Sequence, residues 1–162
     1  MRLALYQPDI PQNTGTILRL AACLGVPVDI VGPAGFDMTD RSLRRAGLDY
    51  LDHVDLKRHE SFEAFLECLN QAGHRLVLLS SHAKVTHVDF TFEEGDTLLL
   101  GRESAGVPDD VHAVAGARIK VPMREGLRSL NIAVAAALVL GEALRQTHGF
   151  PPQVRDRVGT AH

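Results

Sequence analysis

A chain of 162 residues, 45% hydrophobic and 23% charged, suits one domain with one core and is too apolar for a disordered chain. The net charge of −3 excludes a bulk polycation, so any nucleic-acid binding must rest on local basic patches. The longest apolar run, Ile132 to Leu140, falls far short of the ~20 residues of a membrane span, and the start MRLALYQPDIP lacks the apolar stretch of a secretory signal. The expectation is a soluble cytoplasmic protein with no membrane partner.

Arg2 to Tyr6 reads as a short strand, and Gln7 to Gly15, with two prolines and a glycine, as a loop. Ile17, Leu20, Ala21 and Leu24 give Thr16 to Leu24 a helical apolar face, with Gly25 as its C-cap. Val26 to Val31 is a β-branched strand ended by Gly32-Pro33. Thr39 is a candidate N-cap for a helix over Asp40 to Ala46, closed by Gly47. An extended piece around His53 to Leu56 follows, then a helix from Ser61 to Gln71 with Ser61 as its N-cap. Leu76 to Leu79, Thr97 to Leu100 and Arg118 to Val121 read as strands, and Ser129 to Gln146 as the last helix. Continuous apolar strands alternating with helices predict an α/β fold: a mainly parallel sheet with helices on both faces. Residues 1–150 form one domain on this reading, and 151–162, with little to bury, a loose tail.

Cys23 and Cys68 stand apart in apolar helical patterns without a CxxC pair, which predicts two buried thiols in a reducing compartment. No histidine forms an HxxxH or an HxE pair with partnering cysteines, so no metal site is expected.

Three segments carry candidate chemistry. The first is the Pro8 to Gly15 loop with Arg19, placed after a strand and before a helix, where α/β domains hold ligands. Asn13 either caps the helix or bonds a ligand, and capping is the commoner fate. Arg19 is either a solvated arginine or a phosphate contact, for which its planar fork is suited. The second is Leu98-Leu99-Leu100-Gly101-Arg102-Glu103-Ser104-Ala105-Gly106-Val107-Pro108. Gly101 at a strand's carboxyl end admits close approach to the backbone, and Glu103 places a charge at the mouth. An ordinary connection capped by Ser104 fits equally well. No GK[ST] follows, which disfavours a P-loop. The third runs from Val121 through Pro122, Arg124, Glu125, Gly126, Leu127, Arg128, Ser129, Leu130 and Asn131 into an almost wholly apolar helix. Such a helix is expected to be buried on every side. Ser129 reads as its N-cap, but the flanking charges suggest a place where RNA or another subunit meets the core. A local basic cluster, Arg41, Arg44, Arg45, Lys57, Arg58 and His59, is either a solvated face or a phosphate-binding one.

Taken in order, these segments resemble the three motifs of the SPOUT superfamily of methyltransferases, whose C-terminus is tied in a deep trefoil knot. Leu43-Arg44-Arg45-Ala46-Gly47-Leu48-Asp49-Tyr50 resembles a stretch typical of the YibK-like subgroup, small tRNA 2′-O-methyltransferases acting on the wobble nucleotide. The likeness covers roughly residues 2–150. Chain-topology rules alone would not suggest a knot.

The resemblance implies methyl transfer from S-adenosylmethionine to the ribose of a wobble cytidine or modified uridine in tRNA, by a homodimer without metal. It implies that Leu79, Gly101, Val121, Ser129 and Leu130 line the donor pocket. It carries Asn13, Arg19, Glu103, Ser129 and Asn131 over as catalytic, and the basic residues Arg41, Arg44, Arg45, Arg124 and Arg128 as RNA contacts. Arg19 is the family's proposed base; because free arginine stays protonated, its part is to orient phosphate and hydroxyl and to accept the proton only where contacts allow. Arg102 stands where several relatives carry proline, which leaves the local loop shape open. The alternatives are a different tRNA or rRNA position, a non-catalytic RNA-binding SPOUT protein, and a flavodoxin-like nucleotide-binding domain.

Overall fold

The computed structural model describes residues 1–39, 41 and 50–152. The helix expected over Asp40 to Ala46, Arg44 and Arg45 with the stretch around them, and the tail from 153 onward lie outside the described residues.

In chain order the elements are β1 (Arg2–Tyr6), α1 (Pro11–Leu24), β2 (Val28–Val31), a 3-10 turn (Leu51–His53), β3 (Leu56–His59), α2 (Phe62–Gln71), β4 (Arg75–Leu79), β5 (Val85–Thr86), β6 (Asp96–Leu100), α3 (Asp109–Val114), β7 (Ala117–Lys120) and α4 (Ile132–Gln146). The strands form one sheet in the order β3-β2-β1-β6-β4-β7-β5, and every neighbouring pair is parallel. Side chains alternate between two cores. Leu3, Leu5, Val77, Leu98 and Leu100 face α1 and α4, while Ala4, Tyr6, Leu76, Leu78 and Leu99 face Phe65 and Leu69 of α2 and Val111 of α3. Burial on both faces is why these strands are unbroken apolar runs. Acids sealed at the amino edge are paired: Asp29 accepts from Arg2 Nε at 2.8 Å and meets His59 Nε2 at 2.7 Å, and Asp96 takes Arg75 Nε and Nη2 at 2.7 and 2.9 Å.

This order sets the site. The chain moves from β1 outward through β2 to β3, then crosses to β4 on the other side of β6. Leu5 pairs with Leu100, and Leu100 with Leu79, so β1, β6 and β4 end together. Such a reversal opens a crevice outside the carboxyl ends of the strands.

β7 lies beyond β4, yet α4 packs on α1 and against β6. The connection from Val121 to Asn131 therefore travels back across the carboxyl edge. At its far end α4 is gripped by the β4–β6 connection: Gln146 Nε2 donates to Phe90 O at 3.0 Å, and Phe92 N donates to Gln146 Oε1 at 2.9 Å.

Several expectations need correction. Helix α1 starts at Pro11, not Thr16, because proline in the first turn gives up an N–H that has no helical partner anyway. Asn13 accordingly sits inside the first turn and does not cap it; Ile10 occupies the N-cap without a side-chain bond. Ser129 is not the cap of α4, which begins at Ile132 under Asn131. Nor is α4 buried all round: Val134 is 49% and Leu138 46% exposed. Cys23 is exposed and Cys68 partly so, with Lys57 Nζ 3.3 Å from its sulfur. His59 leaves the basic cluster, since it is buried against Asp29. Three short elements, the 3-10 turn, β5 and α3, are beyond the sequence reading, and the extended piece expected around His53 to Leu56 lies instead at Leu56–His59; Asp109 and Asp110 in the first turn of α3 complement its dipole. Gly25 at φ 65° does close α1, and Ser61 Oγ accepts from Ala64 N at 3.2 Å to cap α2.

Candidate active site

The crevice is an open cleft of about 520 Å³ at the carboxyl edge. Its walls come from Asn13 of α1, Leu79 to His82 from the end of β4, Leu100 to Glu103 and Ala105 to Val107 from the end of β6, His112 of α3, Lys120, Val121 and Met123 from the end of β7, and Ser129 to Ile132 with Ala135 at the start of α4. The three sequence segments thus meet in one place. Asn13, Leu79, Gly101, Glu103, Val121, Ser129, Leu130 and Asn131, all predicted, line it.

Asn131 is central to the geometry. Its Oδ1 accepts from Ala133 N and Val134 N at 2.9 and 3.4 Å, capping α4, while its Nδ2 donates to Asn13 Oδ1 at 2.9 Å. One amide side chain ties the first and third segments across 118 residues.

The wall after β6 is a tight loop. Arg102 N donates to Gly106 O at 3.0 Å and Gly106 N to Arg102 O at 2.9 Å. A Cβ on Gly101 would lie 2.8 Å from the Gly106 carbonyl carbon, so only glycine fits. Glu103 faces the β1–α1 loop: Asp9 N donates to Glu103 Oε2 at 3.3 Å, Glu103 N donates to Asp9 Oδ1 at 3.2 Å, and the Ser104 hydroxyl donates to Asp9 Oδ2. The bond with the Glu103 side chain, above all, holds the Asp9 carboxyl down at about 2. Burial, then the bond with Asp9, pushes Glu103 up. Two facing carboxyls that interact this way are pushed in opposite directions, Asp9 down and Glu103 up.

Not every expected residue reaches the cleft. Arg19 is exposed on α1 outside the lining, its guanidinium 4.7 Å over the Tyr50 ring and its Nη2 3.5 Å from the Tyr50 hydroxyl. Arg124 and Arg128 are exposed on the crossing beside the cleft, and Arg41 is exposed. Arg44 and Arg45 lie outside the described residues.

Sequence reasoning missed Asp9, Ser80, Ser81, His82, Arg102, His112 and Lys120. Ser80 and Ser81 follow a predicted strand directly, so the carboxyl-edge rule could have flagged them. Arg102 was noted only for loop shape, yet its Nε is buried without a hydrogen-bond partner. Asp9 carried no local signal, since its partners lie 94 and 95 residues away.

The lining fits an adenosyl methyl donor. Leu79, Leu100, Val121, Leu130 and Ile132 offer an apolar surface to a nucleobase, and serines and asparagines offer polar groups to a ribose and an amino-acid end. Between Pro122 and Leu130 the one main-chain bond found among the described residues is Leu127 N to Arg124 O at 3.3 Å. No group of histidine, cysteine and acid side chains that could hold a metal is found among the described residues.

Known proteins share this architecture. A tRNA (cytidine(34)-2′-O)-methyltransferase of Beijerinckia indica is 64% identical over 144 residues, 89% of this chain and 90% of its own. A solved structure on the 2-OH methylation of C/U34 on tRNA superposes with a TM-score of 0.83 at 47% identity, covering 90% of this chain and 94% of that one. The SpoU methyltransferase AviRb of Streptomyces viridochromogenes, solved with AdoMet, gives 0.79 at 30% identity over 90% of this chain and 60% of its own. The model of the SpoU rRNA Methylase family matches residues 1–141, and the chain belongs to that family.

Proposed function

We propose that the protein transfers a methyl group from S-adenosylmethionine to the 2′-hydroxyl of nucleotide 34 of tRNA, a cytidine or a modified uridine. The observation that carries this reading is the convergence of Asn13, Gly101, Ser129 and Asn131 on one carboxyl-edge cleft, in a chain 64% identical to a tRNA (cytidine(34)-2′-O)-methyltransferase.

A ribose hydroxyl is a weak nucleophile until its proton leaves and its oxygen lies in line with the methyl group. The bound donor supplies a methyl already activated on a sulfonium. The chain supplies placement. Leu79, Gly101, Val121 and Leu130 hold the donor, and Asn13, Ser129 and Asn131 fix the ribose beside it. Arg124 and Arg128, exposed on the crossing, meet RNA phosphates, as do Arg41, Arg44 and Arg45.

The exposed apolar stripe of Val134 and Leu138 seats a second copy of the chain. Helix α1 packs on α4, and Arg19 is exposed on α1. In the homodimer Arg19 orients a substrate phosphate and the hydroxyl. Residues 1–150 act as one methyltransferase domain, and the grip of Phe90 and Phe92 on Gln146 supports the knotted C-terminus.

The test is transfer from labelled S-adenosylmethionine to tRNA lacking the wobble 2′-O-methyl group, followed by mapping of the label. Label on the ribose of nucleotide 34 is expected. Label on a base atom removes the 2′-O assignment, and absence of transfer with donor binding intact removes the enzyme.

A further inference from the structure

Glu103 lines the cleft, but its polar contacts within the chain point to Asp9, a residue that neither the resemblance nor the cleft lining singles out. The two residues exchange main-chain donors. Asp9 N reaches the Glu103 carboxyl at 3.3 Å, and Glu103 N reaches the Asp9 carboxyl at 3.2 Å. Ser104 adds its hydroxyl to the second Asp9 oxygen. Both oxygens of Asp9 are thereby engaged by one short stretch of the β6–α3 loop.

Asp9 is also fixed from behind. Gly35 N donates to Pro8 O at 2.8 Å, and a Cβ on Gly35 would lie 2.9 Å from the Asp9 Cβ. The absence of a side chain at Gly35 lets this segment lie directly against Asp9. What Asp9 joins are two walls of the donor cleft. The β1–α1 loop leads into the first turn of α1, which carries Asn13. The β6–α3 loop carries Gly101 and closes on itself through the paired bonds of Arg102 and Gly106.

We propose that Asp9 is a positioning residue that clasps the Gly101–Gly106 loop to the base of α1 through Glu103 and Ser104, so that Glu103 serves the donor site by fixing its wall. This rests on the methyltransferase reading of the cleft. Of the two facing carboxyls, Glu103 is shifted upward and Asp9 is held down. A glutamine at position 103 keeps an oxygen to accept from Asp9 N, so it does the same work as the native side chain.

That consequence makes the clasp testable by calorimetry with S-adenosylhomocysteine, which reads the donor site without turnover. Asp9→Ala removes the acceptors of Glu103 N and Ser104 and lowers affinity roughly 10- to 100-fold, the worth of one or two charge-assisted hydrogen bonds. Glu103→Ala removes the acceptor of Asp9 N and also lowers affinity, and the double variant falls by less than the sum of the two, because all three bonds join the same two segments. Glu103→Gln recovers most of what Glu103→Ala loses, since its carbonyl oxygen still accepts from Asp9 N. Binding of tRNA, measured separately by filter retention, is unchanged in Asp9→Ala, and the loss in methyl transfer falls on KM for the donor.

Glu103→Gln as weak as Glu103→Ala would show Glu103 touching the donor as an anion and overturn the clasp. Wild-type affinity in Asp9→Ala, or additive losses in the double variant, would do the same. Ser104→Ala guards against an unfolded Asp9 variant: it keeps the fold and gives a smaller loss in the same direction, and no loss there counts against the proposal. Should the unaltered protein bind no S-adenosylhomocysteine, the methyltransferase reading fails. The clasp is then judged by melting temperatures alone, where non-additive shifts for Asp9→Ala and Glu103→Ala uphold it and additive shifts sink it.

Discussion

Helix α4 leaves Val134 49% and Leu138 46% exposed one turn apart, with Leu130 at 40% and Leu127 at 67% on the approach to it. Fully burying such a side chain is worth about 1.5–3 kcal/mol, so covering the exposed half of Val134 and of Leu138 gives roughly 1 kcal/mol each. A two-fold interface presents the same patch from both copies, which brings these two positions to about 4 kcal/mol per dimer. A double change, Val134→Glu with Leu138→Glu, forfeits that gain and adds the cost of sealing charges. The dimer dissociation constant should rise at least about 1,000-fold, at roughly 1.4 kcal/mol per tenfold. Sedimentation velocity across a micromolar concentration series reads this directly. The wild type is expected to sediment as a dimer and the variant as a folded monomer with unchanged far-ultraviolet dichroism. A wild-type monomer at all concentrations, or a variant that still dimerises, refutes the assignment of this stripe to self-association.

Gly101→Ala forces a methyl group to 2.8 Å from the Gly106 backbone; the expected cost is about 1–3 kcal/mol of stability, seen as a lowered urea midpoint, together with weakened donor binding. Ser61→Ala removes the cap of α2 for about 1 kcal/mol and should leave donor affinity untouched, since α2 packs away from the cleft. Asn131→Ser keeps a good helix cap but is too short to reach Asn13, so methyl transfer should fall much further than melting temperature; parallel losses would show that Asn131 only caps. Asp9, ordinarily titrating near 3.8 and held at about 2 in the fold, contributes stability that is full above the unfolded value and lost as pH falls from about 4 through 2. Glu103, shifted upward, contributes with the opposite sign, losing its share as pH rises through its folded value. Acid denaturation of Asp9→Ala should therefore be flatter across pH 4 to 2 than that of the wild type; identical curves refute the link.

The sheet was legible because its strands are buried on both faces. Leu76 to Leu79 and Thr97 to Leu100 needed no partner to be recognised, and their observed ends moved by one residue. Turns with a backbone requirement were legible too, as at Gly25 and Ser61. Failures arose where tertiary contacts outrank local pattern. Proline was read as excluding a helix at Pro11, although the first turn is where it fits. The apolar content of α4 was read as burial within one chain, and half of Val134 and Leu138 faces outward. Of the site, the loops after β6 and β7 announced themselves through glycine and charge. Asp9 did not, because everything that makes it distinctive is supplied from residues 35, 103 and 104.

The two ties across the cleft differ in what they demand of folding order. The Asp9–Glu103 clasp needs only β1 beside β6, neighbours in the sheet, and can close once those strands pair. The Asn13–Asn131 bond needs α4 seated on α1 after the crossing from β7. Asn131 spends its oxygen on the first turn of α4 and its amide on Asn13, so the side chain that starts the last helix also completes the first wall of the cleft. A chain with β1, β6 and α1 in place but α4 unseated would have the clasp and half a pocket. Donor affinity is then a report on whether the C-terminal helix has reached its place, which neither the sheet nor the clasp can give.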